Sequence, residues 1–592
     1  MRYLFQVEGF AARFVARHLF SLAMTKDLKD RIEVARGLKK ADLVLKGGQL
    51  VNVFSGEIHH TDVAVYRGRI AGLGNYDAEK VIDLSSKFIL PGFIDSHVHL
   101  ESAMLTPAEF AKAALPHGTT AVVADPHEIA NVLGTKGLRY ILKASEGLPL
   151  DFYFMLPSCV PATSLETSGA RLKAPDLLPF LKEKRVLGLA EMMNYPGVLA
   201  GEPDTLSKLK RFGHTPIDGH APGLAGKDLS AYIGAGITSD HECVIAEEAA
   251  EKVRLGMTIF IREGSAAKNL EALLPALTPA NSRFFCFATD DLQPKDLKAG
   301  SINRLVQKAV RLGLAPVTAV QMATINPAQH FGLRGSGAVL PGYDADLVVV
   351  KDLSDFIVEK VFKRGVLVAD NGGVLYPDRR LSHAAAKNTV RTGPLGLDDI
   401  RIKARSAQAR IIELVPGQIV TRQAILPVPA RDGYVVSDPE RDILKLFVIE
   451  RHRATGNIGR GLVKGFGLRS GALAGTVAHD SHNLIVVGVD DEDILTAIRE
   501  IKRLHGGLVV VNNKKVMAAL PLPVAGLMSD RDLDSVVKGM TETLDAAQQL
   551  GVRIEQPFST LSFLALPVIP ELKLTDKGLV DVNTFAFVDL FV

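Results

Sequence analysis

The chain has 592 residues, 47% apolar and 23% charged, a composition that excludes a disordered, collagen-like or low-complexity protein. With 69 basic and 66 acidic residues the formal charge is +3, too small to mark a protein of nucleic acid or the membrane surface, so a small molecule is the expected partner. No run of about 18 uncharged apolar residues appears, which predicts a soluble protein without a transmembrane helix. Cys159, Cys243 and Cys286 are too few and too far apart for a disulfide framework or a CxxC site, and are expected to be buried thiols in a reducing, cytoplasmic setting.

Residues 1–30 are set apart as an N-terminal extension. The first 23, with Arg2, Arg13 and Arg17 and only Glu8 acidic, superficially resemble a transit peptide. They are read instead as a docking helix, or as sequence upstream of a start at Met24, whose removal leaves activity intact. From 41 to 84 apolar and polar residues alternate around Gly-rich turns, predicting short antiparallel strands, and 337–372 has the same character. Residues 31–86 and 336–385 are therefore taken as one small β-sandwich domain built from both sides of an insertion.

The insertion, 87–335, alternates eight short apolar runs with amphipathic stretches: 88–95, 119–125, 152–156, 186–191, 215–220, 237–242, 257–263 and 283–291. Thr106, Pro107 and Glu109 have the spacing of a helix-opening capping box. Eight strands, each followed by a helix, match a (β/α)8 TIM-like barrel, which runs to about 250 residues. An open doubly wound sheet would place a phosphate-binding Gly turn after its first strand, and none is seen. Residues 390–592 carry mixed signals and form a C-terminal α+β domain. The fold class is α/β.

The histidines point to chemistry. His97 and His99 close the first barrel strand, Glu191 ends the fourth, His220 the fifth, His241 the sixth and Asp290 the eighth. The C-terminal ends of barrel strands build the active site, so these residues converge on one mouth. Alternation along a strand puts His97 and His99 on one face, able to grip one ion. Four imidazoles and two carboxylates suffice for two divalent ions, with Glu191 bridging and reducing their repulsion. Asp125, His127 and Glu128 follow the second strand towards the same mouth, as functional groups or as a loop in which Asp125 caps a turn and Glu128 starts a helix, and Arg262 and Glu263 end the seventh, as substrate contacts or structural ion pairs. His479, Asp480 and His482 are read as a lid or supporting group reaching the mouth, or as a structural turn. The glycine runs at 456–461 and 465–471 lack GxGxxG spacing and predict no phosphate loop.

The string PGFIDSHVHLES, followed in order by Glu191, His220, His241 and Asp290, resembles the amidohydrolase superfamily. Most two-metal members bridge their ions with a carboxylated lysine; here the place holds Glu191. That departure, with DPHEIAN, DGHAPGL, SDHE, FATDD and HDSHN, is similar to the adenine deaminase family, from about residue 41 onward. The resemblance implies hydrolysis of adenine to hypoxanthine and ammonia in purine salvage, by a hydroxide held on two ions, Mn²⁺ or Fe²⁺ with Zn²⁺ acceptable, in a homodimer. It implies His97, His99 and Asp290 on one ion, His220 and His241 on the other, and Glu191 shared. Asp290 then moves the proton to the leaving amine, and His127 or Glu128 protonates the ring. Asp125, Arg262, Glu263, His479, Asp480 and His482 are candidate substrate contacts. The alternative is another two-metal amidohydrolase, acting on a different aminopurine or a cyclic amide.

Overall fold

The computed structural model describes residues 26–379 and 381–592; the expectations for residues 1–23 lie outside them. The chain forms two compact units. One gathers the residues up to Ile94 with Leu115–Thr120 and Ile302–Tyr376, the other Asp95–Ala114, Ala121–Ser301 and Pro377–Val592.

Five strands come first: β1 (Ala41–Asn52), β2 (Glu57–Tyr66), β3 (Arg69–Leu73), β4 (Ala78–Asp83) and β5 (Phe88–Pro91). Eight follow at the eight apolar runs: β6 (Phe93–Val98), β7 (Thr119–Ala124), β8 (Asp151–Leu156), β9 (Val186–Met192), β10 (Ile217–Gly219), β11 (Ser239–Asp240), β12 (Thr258–Arg262) and β13 (Phe285–Ala288). After them come β14 (Leu347–Val350), β15 (Val358–Lys363), β16 (Val366–Asp370) and β17 (Gly373–Val374).

The first five and the last four make one nine-stranded sheet, in the order β17-β16-β15-β14-β5-β1-β2-β3 with β4 on β1. The join is the antiparallel pair β14/β5, with Leu347 opposite Pro91 and Val349 opposite Ile89. Its inward residues Leu45, Leu50, Val63, Ile89, Leu347 and Val349 are fully buried in one cluster.

The middle eight are parallel, as β10-β9-β8-β7-β6 and β11-β12-β13. All residues of β7 and β13 are buried, as expected of strands covered on both faces, which is why they read as unbroken apolar runs. The amide of Thr238 donates to Ile217 O and that of Thr258 to Thr238 O, while Val98 bridges Asp290 in parallel.

Two local readings need correction. The run at 88–95 is two strands in two sheets: Pro91 offers no N–H, and Gly92 is required because a Cβ there would lie 2.1 Å from Thr120 Oγ1. Glu109 does not close a capping box with Thr106, because its carboxylate binds Lys112 Nζ at 2.6 Å and the amide of Leu533 at 3.1 Å.

The remaining strands are β18 (Gln408–Leu414), β19 (Thr421–Pro427), β20 (Ala430–Arg431), β21 (Tyr434–Val435), β22 (Ile443–Ile449), β23 (Ile458–Lys464), β24 (Ala472–Gly475), β25 (Leu484–Gly488), β26 (Gly507–Asn512), β27 (Lys515–Pro521), β28 (Leu572–Thr575), β29 (Gly578–Asp581) and β30 (Ala586–Val588). Eight form a sheet, β19-β18-β23-β22-β25-β24-β26-β27. Helix Asp491–Leu504 buries Ile494, Ile498 and Ile501 in the same apolar cluster as Phe447 and Val486 of that sheet. Asp490 opens the helix by accepting from the amides of Glu492 and Asp493.

The glycines here serve packing. A Cβ on Gly459 would meet Thr575 O, and the amides of Gly465 and Gly467 are taken by the Asp442 carboxylate at 3.0 and 2.8 Å. A carboxylate stands where a phosphate loop would need open donors. All three cysteines are buried and free, and no helix among the described residues is long and apolar enough to cross a membrane.

Lys573 is buried and donates to Ile419 O at 2.9 Å; burial pushes its ammonium down to about 7. An unfolded lysine titrates near about 10.4, so between these values the unfolded chain holds the extra proton and stability rises with pH. Lys573→Met should therefore stabilise the protein relative to wild type more at pH 6 than at pH 9, measured by thermal unfolding. A pH-independent difference would contradict this.

Candidate metal centre

The C-terminal ends of the parallel strands carry the histidines. His97 lies near the end of β6 and His99 just past it, Glu191 near the end of β9, His220 and His241 directly after β10 and β11, and Asp290 two residues past β13. Asp290 takes a left-handed backbone (φ 56), held there because its N–H donates to His97 O at 2.9 Å and its carbonyl accepts from the amide of His99 at 3.2 Å. Behind them Asp95, at the centre of β6, accepts from the Thr289 hydroxyl at 2.5 Å and amide at 3.1 Å.

These side chains meet. His97 Nε2 and His99 Nε2 are 3.1 Å apart, and Asp290 Oδ1 lies 3.7 and 3.1 Å from them. His99 Nδ1 is 3.1 Å from the carbonyl of Asp125, an acceptor only, so Nδ1 carries a hydrogen and Nε2 is the nitrogen turned towards Asp290 and Glu191. A metal-ligating histidine anchors its second nitrogen on a carbonyl in this way. Glu191 divides its oxygens. Oε1 lies 3.5 Å from both His99 Nε2 and His127 Nδ1, and Oε2 lies 2.8 Å from His220 Nδ1 and 3.2 Å from His241 Nε2. The rings of His97 and His241 stack at 4.3 Å between these groups.

Three donor sets thus overlap: His97, His99 and Asp290; His97, Glu191 and His241; and His220, His241 and Glu242. Nitrogen and carboxylate donors this close fit divalent cations.

Asp125, His127 and Glu128 border the same space. His127 Nδ1 is 3.2 Å from Asp125 Oδ2, and Glu128 is 1% exposed, with Oε2 lacking a hydrogen-bond partner. The HDSHN segment reaches it: His479 Nδ1 is 3.5 Å from Glu128 Oε1, His482 Nε2 is 3.9 Å from Glu128 Oε2, and Asp480 Oδ1 is 3.9 Å from His127 Nε2. The segment is fastened by Arg451, fully buried, whose Nε donates to His482 O, and by Asn483, which donates to Thr167 O at 2.8 Å. Arg262 lies 3.0 Å from Asp290 Oδ2 and pairs through both terminal nitrogens with Glu242. Glu263 is half-buried past the end of β12, its amide donating to Ala288 O.

Glu242 and Ser102 were not singled out from the sequence. Glu242 stands in the SDHE string, next to a histidine, and Ser102 in the string that opens with His97, donating to Asp291 Oδ1 at 2.5 Å.

Burial disfavours a charged imidazole at every position, and the neighbours decide the outcome. At His97 burial prevails, with His241 and His99 adding to it, and the pKa falls well below its ordinary value. At His99 burial is outweighed by Asp290 and Glu191, and at His127 by Asp125, holding both well above it. His241 rises to about 9 against burial because Glu191, Asp290 and Glu242 face it. Burial, reinforced by Glu101 and Asp291, lifts the Glu128 carboxyl well above the usual range.

The model for "Amidohydrolase family" matches residues 88–368 and that for "Adenine deaminase C-terminal domain" residues 418–586. The chain is 53% identical over 565 residues to adenine deaminase 2 of Carboxydothermus hydrogenoformans, covering 95% of this chain and 99% of that one. It is 51% identical to the adenine deaminase of Desulfatibacillum aliphaticivorans and 49% to that of Dehalococcoides mccartyi, at 95% and 99% coverage in each case.

Behind His241, Lys252 is fully buried and donates to Asp240 Oδ2 at 2.9 Å, Glu248 Oε1 at 2.7 Å and Ala221 O at 2.8 Å. Lys252→Met leaves Asp240 charged without its partner and should cost about 3–5 kcal/mol. Thermal unfolding of metal-free protein checks this, and an unchanged midpoint would show that the pair does not support the site.

Proposed function

The chain belongs to the adenine deaminase family of amidohydrolases, and from that membership we infer that it hydrolyses adenine to hypoxanthine and ammonia at the clustered strand ends. The observation that carries the reading is the Glu191 carboxylate, whose two oxygens face two different sets of histidines. We assign His97, His99 and Asp290 to one ion, His220 and His241 to a second, and Glu191 to both, with Mn²⁺ or Fe²⁺ as the ions and Zn²⁺ acceptable. Such ions make a water acidic enough to lose a proton near neutral pH.

The protein's own groups do the rest. Water adds to C6 of the purine and the C6–N bond breaks. Asp290 takes one proton from the attacking water and passes it to the departing amine, and the proton left on the new C6 hydroxyl replaces the one given to the ring nitrogen as C6=O forms. Arg262 and His99 beside it outweigh burial and keep Asp290 well below the usual carboxylate range, hence ionised and able to accept. Glu128, lifted well above the usual carboxyl range by burial, is suited to donate a proton to a ring nitrogen, with His127 beside it. Asp125, His479, Asp480 and His482 wall the space in which the base would sit, while Arg262 and Glu263 remain candidate contacts at the end of β12.

The proposed frame is one (β/α)8 barrel over 87–335, a β-sandwich domain from 31–86 and 336–385, and a C-terminal domain over 390–592. The eight parallel strands and the Val98–Asp290 bridge support closure, and the nine-stranded sheet supports the composite domain. The reaction fits purine salvage in a reducing compartment, by a homodimer.

Full-length protein loaded anaerobically with Mn²⁺ or Fe²⁺ should release ammonia from adenine and not from adenosine; no release from protein holding two ions would overturn the substrate assignment. Glu191→Gln should lose bound metal as well as turnover, read by elemental analysis. Full occupancy with normal turnover in that variant would remove Glu191 from the centre.

A further inference from the structure

Glu242 lies outside the six residues assigned above, yet it closes one end of the cluster. We propose that Glu242 is a fourth protein donor to the second ion, beside His220, His241 and Glu191, and that Arg262 positions its carboxylate. The inference rests on the two-ion reading.

The backbone places it. Strand β11 ends at Asp240, and the Asp240 carboxylate accepts from the amide of Ala221, next to His220, at 2.8 Å through Oδ1 and from the amide of Glu242 at 3.1 Å through Oδ2. One buried side chain thus registers the residues after β10 against those after β11. Glu242 is 9% exposed, and its Oε1 lies 3.4 Å from His241 Nε2 and 3.6 Å from His220 Nδ1. Glu191 Oε2 lies 3.2 and 2.8 Å from the same two nitrogens. Neighbouring ligands about 2.1 Å from an ion are about 3.0 Å apart in octahedral and about 3.4 Å apart in tetrahedral coordination, and these four spacings run around both values.

The ion pair with Arg262 engages both oxygens, Nη2 with Oε2 at 3.0 Å and Nη1 with Oε1. It does not require Oε1 to face two imidazoles. Arg262 Nη1 also lies 3.0 Å from Asp290 Oδ2, so one guanidinium fixes a carboxylate from each half of the cluster. Its planar fork is suited to hold both, where a lysine ammonium would act as a single point charge.

The test is calorimetric titration of metal-free, full-length protein with Mn²⁺, following the two equivalents separately, with thermal unfolding of each variant as the folding control. Glu242→Gln should raise the dissociation constant of one equivalent by at least about 10-fold and leave the other within about 3-fold. Glu242→Asp, which keeps the charge but withdraws the oxygen, should fall between, and it carries the test if the Gln variant does not fold. Wild-type affinities for both equivalents in folded Glu242 variants would overturn the inference while leaving two ions in place. Uptake of a single ion by wild type would overturn the two-ion reading and this inference with it.

Discussion

The site depends on where one carboxylate points. Glu191 is 3% exposed on a parallel strand whose residues are nearly all buried, so its charge has no solvent to lean on and must be met by neighbours. It is met from two directions, by His99 and His127 at one oxygen and by His220 and His241 at the other. Burial would raise its pKa, but His220 and His241 prevail and hold it well below the ordinary range. A permanently ionised carboxylate between two groups of imidazoles is a place prepared for positive charge.

Around that carboxylate the chain fixes its donors by backbone bonds. Asp290 is pinned in a left-handed conformation by reciprocal hydrogen bonds with His97 and His99, and Asp240 ties the residues after two strands together. The His99 ring is oriented by the Asp125 carbonyl. Each constraint places a donor atom without drawing on the donor itself, as is needed when buried polar groups are costly to leave unmet. The HDSHN segment is held to the same standard, through Arg451 on His482 O and Asn483 on Thr167 O.

Much of this was legible in the sequence, for physical reasons. Strands buried on both faces read as unbroken apolar runs, so β7 and β13 are visible without periodicity, and a polar residue at the end of such a run stands out, as His97, Glu191 and Asp290 do. The break inside 88–95 was not legible, because it follows from the close approach of Thr120 to Gly92, a contact distant in sequence. Glu109 reads as a capping residue until Lys112 and Leu533 are seen beside it. Glu242 escapes for a different reason. Strand alternation turns a residue next to His241 to the opposite face, but β11 is only two residues long and ends before His241, so the alternation does not apply.

The proposed centre is two ions sharing Glu191. Anomalous diffraction from crystals of the Mn²⁺-loaded protein tests that most directly. The account requires two peaks about 3.5–4 Å apart, one on each side of the Glu191 carboxylate. A single peak, or two peaks that do not both touch Glu191, would contradict it.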